Sequence, residues 1–227
     1  MVLNELTKID SDGKEIGKIP QLGRFDRGEL REAILQSAGH FSAAPASGIS
    51  MRRECAERVF PIPEQEFRTE ADGYVRTIAA LHYAVDAIDE SLTTYRVHSS
   101  NVTASQAVDL KWCARLRSAA QRVHAAISAV AALNHWPAAP LERSFEFCEA
   151  TAVQDFLEGG GIAKAFRNAR LLTAAANSIA TADRSKVRAK AALLSAAILS
   201  PSPVGKRIID AIYLPNALKR SVAGKGA

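Results

Sequence analysis

Between Tyr74 and Leu92, six apolar residues recur at alternating spacings of four and three: Tyr74, Ile78, Leu81, Val85, Ile88 and Leu92. That period puts all six on one stripe of an α-helix. Thr69 and Asp72 ahead of it form a capping-box pattern, so the spacing predicts a helix over 69–95. A second run, 104–134, opens with Thr103 and Gln106 and keeps the period through Leu110, Cys113, Leu116, Ala120, Val123, Ile127 and Val130. Helices are also predicted over 143–158, 162–182 (Ile162, Phe166, Ala169, Leu172 and Ile179 inward) and 186–199 (Val187, Ala191, Leu194 and Ile198 inward). Pro201-Ser202-Pro203 separates a last short helix carrying Ile208 and Ile212. Aromatic residues are only 6% of the chain and alanine is abundant, which favours close-packed helices over a sandwich of sheets. The expected fold class is all-α: a helical core bundle with extended N- and C-terminal arms.

The N-terminal 25 residues are polar. Asp12-Gly13 sits between two short apolar stretches, a signal for a hairpin or for an extended arm. Asp26 followed by Glu29 resembles a capping box for a helix with Leu30, Ile34 and Phe41 on its inner face. A short helix after the 41–50 linker is ended by Pro61-Ile62-Pro63. The division expected is an arm over 1–25, a helical core over 26–199 and a basic C-terminal extension over 200–227.

Charge is distributed unevenly. Residues 1–158 hold 17 Lys/Arg against 22 Asp/Glu, whereas residues 159–227 hold 12 against two. A basic end of that kind points to a polyanion or an acidic surface as partner. The three cysteines, Cys55, Cys113 and Cys148, are far apart and form no CxxC pair, which argues against a disulfide framework or zinc site and for a reducing compartment. No secretory signal is expected at the N-terminus, and no apolar run reaches the roughly 18 residues needed to span a bilayer.

Catalytic patterns are not visible. Gly159-Gly160-Gly161 lacks Rossmann spacing and reads as a turn or helix C-cap. His40, His82, His98, His124 and His135 stand in no metal-ligand spacing, and His82 reads as a partly buried histidine. Asp86, Asp89 and Glu90 read as the solvated face of the first long helix, Cys113 and Cys148 as small core residues. The chain is therefore expected not to be an enzyme and to need no cofactor or metal.

The segment Arg143-Ser144-Phe145-Glu146-Phe147-Cys148-Glu149-Ala150-Thr151 resembles a signature in coat proteins of flexuous filamentous plant viruses. Phe145, Glu146, Phe147, Glu149 and Thr151 match the potyvirus form F-D-F-x-E-x-T, with glutamate in place of aspartate. The alanine-rich basic stretch after Gly161 is similar to the helix that follows the signature, and Val97 to Thr103 is similar to a turn in the potexvirus group. The resemblance covers roughly residues 97–190; rod-shaped virus coats are the second choice. It implies a coat subunit that polymerises through its N-terminal arm and holds single-stranded RNA by its backbone, located in the virion and host cytoplasm, with no membrane insertion. The RNA-contacting residues it implies are Ser99, Ser100, Lys111, Arg115, Arg143 and Glu146, with Lys164, Arg167 and Arg170 on the following helix. The alternative is a bacterial helical regulatory protein that binds nucleic acid or a membrane surface.

Overall fold

Residues expected to form an arm lie instead at the centre of a sheet. The computed structural model describes residues 1–20, 23–98 and 107–214. Strand β1 (Val2–Ile9) pairs antiparallel with β2 (Glu15–Ile19) through the Asp12-Gly13 turn, so the hairpin signal is borne out. Its first residues also pair antiparallel with the short β3 (Ile49–Ser50), and its other edge pairs parallel with β4 (Asp86–Arg96). The all-α expectation is corrected: the described residues form a four-stranded mixed sheet and eight α-helices. Leu3 and Leu6 are fully buried, which no exposed arm would allow.

The helix expected over 69–95 divides in two. Its first half is α3 (Ala71–His82), with Ile78 and Leu81 buried on the predicted stripe. Beyond Tyr83 the chain extends into β4, and Ile88 and Leu92 are exposed. The segment Ser91-Leu92-Thr93-Thr94-Tyr95 is rich in residues that suit a pleated surface, and pairing along the whole length of β1 outweighs a period that two exposed apolar residues cannot support. Asp86, Asp89 and Glu90 accordingly lie on a strand, where Arg27 binds Asp89 at 2.7 Å.

Around this sheet, α1 (Arg31–Ser37), α2 (Arg53–Val59) and α3 enclose a first apolar core that includes Leu3, Leu6, Ile34, Val59 and Leu81. A second core lies among α5 (Phe145–Leu157), α6 (Ile162–Ser178), α7 (Arg184–Leu199) and α8 (Ser202–Tyr213). Helix α4 (Leu110–Leu133) joins them, giving Cys113 to the second core and Ile127 and Ala131 to the first. At 1.5 Å per residue it is about 36 Å long. Its N-cap is Asp109, whose carboxylate accepts the Trp112 N–H at 2.8 Å; the expected opening at Thr103 and Gln106 lies outside the described residues.

Helix α7 follows the predicted period, and α6 follows it only in its second half, burying Ala165 and Asn168 in place of the predicted Ile162 and Phe166. Leu172 and Ile179 face inward, as do Val187, Ala191, Leu194 and Ile198, while Ile162 and Phe166 are exposed. The expected C-terminal arm is helical as far as Tyr213 and buries Ile209. Gly205 lets α8 approach α7, since a Cβ there would stand 2.3 Å from the Ala197 carbonyl oxygen. Buried Glu149 accepts a hydrogen bond from the Tyr213 hydroxyl and pairs with Lys190 at 2.5 Å, fastening α5, α7 and α8 together.

Leu6→Ala should lower the free energy of unfolding by about 2–5 kcal/mol, the usual cost of emptying a buried leucine site. Ile16→Ala, at a side chain 52% exposed on β2, should change it by less than about 0.5 kcal/mol. Urea unfolding followed by circular dichroism checks both, and an unchanged midpoint for Leu6→Ala would contradict the central placement of β1.

Candidate functional site

A cleft of about 290 Å³ lies where the two cores meet. One wall is α3 at its N-terminus, with Glu70, Asp72, Gly73, Arg76 and Thr77; the opposite wall is the middle of α4, with Leu116, Ala119, Ala120 and Val123. The loop after α1 (Ala38, Gly39 and Phe41) and the start of α5 (Ser144 and Glu146) complete it. Gly39 has φ +116, and a Cβ there would stand 3.1 Å from the Ile127 side chain, so only glycine lets this loop lie against α4.

The expected capping box at Thr69 and Asp72 does not form. Residue Glu70 takes the N-cap position in a left-handed conformation (φ 65, ψ 32), and no side chain caps α3. That conformation costs a non-glycine residue about 1–3 kcal/mol and persists only when its surroundings impose it, a pattern that gathers at functional sites. Arg122 of α4 holds the Glu70 side chain, with its terminal nitrogen 3.2 Å from Oε2, and donates its second terminal nitrogen to the Ser118 hydroxyl at 2.6 Å.

Glu146 is held from the other side. Its Oε1 lies 2.6 Å from His40 Nδ1, and its Oε2 accepts the Ser144 hydroxyl at 3.3 Å. The His40 side chain is 13% exposed and that of Glu146 is 47% exposed. Burial works against a charge on His40, yet the adjacent Glu146 carboxylate, aided by Asp183 and Asp26, raises its pKa above 6.5. Desolvation likewise opposes the charge on Glu146, but His40, its own backbone N–H and Lys190 bring its pKa down to about 2.

Three carboxylates therefore line one cleft, and two of them have cationic partners. Asp72 differs: it accepts the Gly73 N–H at 3.0 Å and has no cation in ion-pair contact among the described residues. An uncompensated carboxylate at the rim of a partly apolar cleft is suited to accept a proton or a hydroxyl hydrogen bond. The thiols offer no alternative nucleophile, because burial raises Cys113 to about 11 and Cys148 to about 12. Among the described residues, no group of three or more His, Cys, Asp or Glu stands where it could hold a metal ion.

Of the residues implied by the coat resemblance, Glu146 alone lines this cleft. Lys164 and Arg167 bind Asp155 near the other end of α5, nine residues and about 14 Å along the helix from Glu146. Arg143 is exposed in a 3-10 turn (Leu141–Arg143) and lines a separate groove with Arg184. Lys111 and Arg115 lie in the first turns of α4, Arg170 is exposed on α6, and Ser99 and Ser100 lie outside the described residues. Sequence reasoning missed Glu70, Asp72, Arg76 and His40 as site residues. The four-residue spacing of Asp72 and Arg76 was the only local signal.

No family model matches the chain, and no solved structure does. Among curated proteins it is similar to an uncharacterized glycosyltransferase of Nostoc sp., 33% identical over 100 residues. That stretch is 44% of this chain and 31% of the relative, so the chain spans about a third of the length of the curated relative it matches. A bacterial relative with that name overturns the coat-protein reading, the virion location and the expectation of a non-enzyme, and it supports the regulatory alternative no better. The signature residues have an ordinary structural account: Phe145 and Cys148 fill the second core, Glu146 meets His40 and Glu149 meets Lys190.

The His40–Glu146 pair predicts a pH dependence of stability. His40 has a raised pKa when folded, so its contribution is complete below 6.5 and is lost as pH rises through the folded value. Glu146 has a lowered pKa, so its contribution is complete above 4.5 and is lost as pH falls toward 2. Urea midpoints should therefore decline from pH 6 to 8.5 in the wild type and decline less in His40→Ala; parallel declines would contradict the pairing.

Proposed function

We propose that this chain supplies the acceptor side of a glycosyl-transfer site, with Asp72 as the base. The cation-free Asp72 carboxylate in a cleft lined by two further carboxylates carries this reading, and the similarity to a protein named a glycosyltransferase supports it. A cleft of about 290 Å³ is at the small end of ligand sites and suits a single sugar unit. Carboxylates accept hydrogen bonds from sugar hydroxyls, while the C–H face of the ring lies against apolar side chains such as Phe41, Leu116 and Val123.

The chemistry then balances simply. The acceptor hydroxyl gives its proton to the Asp72 carboxylate as its oxygen lone pair forms the new bond to the anomeric carbon of the donor. The bond from that carbon to the donor's leaving group breaks, and its electron pair departs with the leaving group. Glu70 and Glu146 are less suited to the proton transfer, because each already holds a cation. Arg76, one turn beyond Asp72, offers a hydrogen-bond donor to the acceptor.

The test measures sugar transfer by the purified chain from a panel of radiolabelled nucleotide sugars to mono- and oligosaccharides. Asp72→Asn should lower the rate by about a hundredfold or more, the usual worth of a general base, while circular dichroism and melting stay unchanged. Full activity in Asp72→Asn would remove the base assignment, and no transfer from any donor would remove the catalytic reading of the chain.

A further inference from the structure

We infer that His40 is a positioning residue that fixes Glu146 as a second hydroxyl acceptor in the cleft, which thereby takes an uncharged saccharide and loosens it when His40 is deprotonated. The inference rests on the acceptor-site reading above and adds the class of ligand and its control by pH. His40 does not itself line the cleft; it acts through Glu146, which does.

The geometry around His40 is built from both sides. Its backbone N–H donates to the Ser37 hydroxyl oxygen at 3.1 Å, and that hydroxyl in turn donates to the Ala33 carbonyl at 2.6 Å. Ala38, in a left-handed conformation, and Gly39 then turn the chain out of α1 so that the imidazole reaches the first turn of α5, 106 residues away in sequence. The far ring nitrogen, Nε2, is buried with no hydrogen-bond partner among the described residues, so Glu146 is the group that holds the ring by hydrogen bonding. The other charged groups that act on His40 are Asp183, ahead of α7, and Asp26, ahead of α1; Lys190 of α7 acts on Glu146. With both Oε1 and Oε2 engaged, a half-exposed carboxylate that would otherwise sample several rotamers is confined to one.

Charge balance identifies the ligand class. Glu70 and Glu146 are in ion-pair contact with Arg122 and His40, and Arg76, which lines the cleft without contacting Asp72, brings the three carboxylates and the three cations to equal number when His40 is protonated. Such a set draws in neither an anion nor a cation, but it presents acceptors and a donor to a neutral polyol. Loss of the proton on His40 leaves the cleft one negative charge in excess and turns a charge-assisted hydrogen bond to Glu146 into a weaker neutral one. The adjacent Glu146 carboxylate raises His40 above its ordinary 6.5, so that change comes at a higher pH than for a free imidazole.

The experiment titrates the full chain with methyl glucoside, methyl galactoside and methyl N-acetylglucosaminide, and with glucuronate and glucosamine as charged probes. Amide shifts are followed by NMR at pH 6 and pH 8.5. The neutral glycosides should bind more tightly than either charged probe, and weaken about tenfold from pH 6 to 8.5 in the wild type. His40→Ala should bind about tenfold more weakly at pH 6 and show no further loss at pH 8.5. His40→Asn, which places an uncharged hydrogen-bond donor beside Glu146, should bind at both pH values as the wild type does at pH 8.5 and show a flat pH profile. Tighter binding of glucuronate or glucosamine, or an unaltered pH profile in both variants, would overturn the inference while leaving the acceptor site standing. No binding of any saccharide by the wild type would overturn the acceptor-site reading and this inference together.

Discussion

The two cores are fastened by one buried carboxylate. Asp26 is 5% exposed and accepts the Ser42 N–H at 2.6 Å and the Ala182 N–H at 2.8 Å, joining the strand-side loops to the turn between α6 and α7. It resembles a helix cap in sequence, and it does cap backbone groups, but those of two distant loops. Removing it would cost both of these cross-boundary hydrogen bonds at once. The Ala139 N–H to the Leu35 carbonyl (2.9 Å) and the His40–Glu146 pair add further polar ties across the same boundary. Because directional bonds set this boundary, the space between the cores can stay open as a cleft while each core packs closely on its own.

What was legible in the sequence was what depends on near neighbours. The period of α4 and α7 comes from side chains three and four residues apart, and it locates Cys113, Ile127, Val187 and Leu194 correctly. The Asp12-Gly13 turn is local too, and it forms. Strand β4 was not legible, because its pairing partner begins 84 residues earlier, with Val2 opposite Asp86, and because Leu81 and Val85 continue the helical spacing across the break. The site was still less legible. It takes residues from near 40, 70, 120 and 145, and the sequence carries no sign that these four stretches meet.

The strain at Glu70 and the pairing at Glu146 divide the labour within the cleft. Each carboxylate is tied to a cation on a different element, Arg122 on α4 or His40 after α1, and each tie fixes a wall of the site. Asp72 stands in the first turn of α3, whose buried side chains share the first core with Ile127 and Ala131 of α4. The rigid walls come from carboxylates held in ion pairs, and the remaining carboxylate has no such partner among the described residues.

The cysteines have a practical meaning beyond their inertness. Cys55 belongs to the first core, and Cys113 and Cys148 to the second; all three are free and buried. A thiol with a pKa near 11 is thiolate in only about one molecule in ten thousand at neutral pH, so the native state scarcely meets an alkylating reagent or peroxide. Reaction must await an opening fluctuation, and the rate at each position then counts how often its own core opens. The chain thus carries a separate chemical clock in each half.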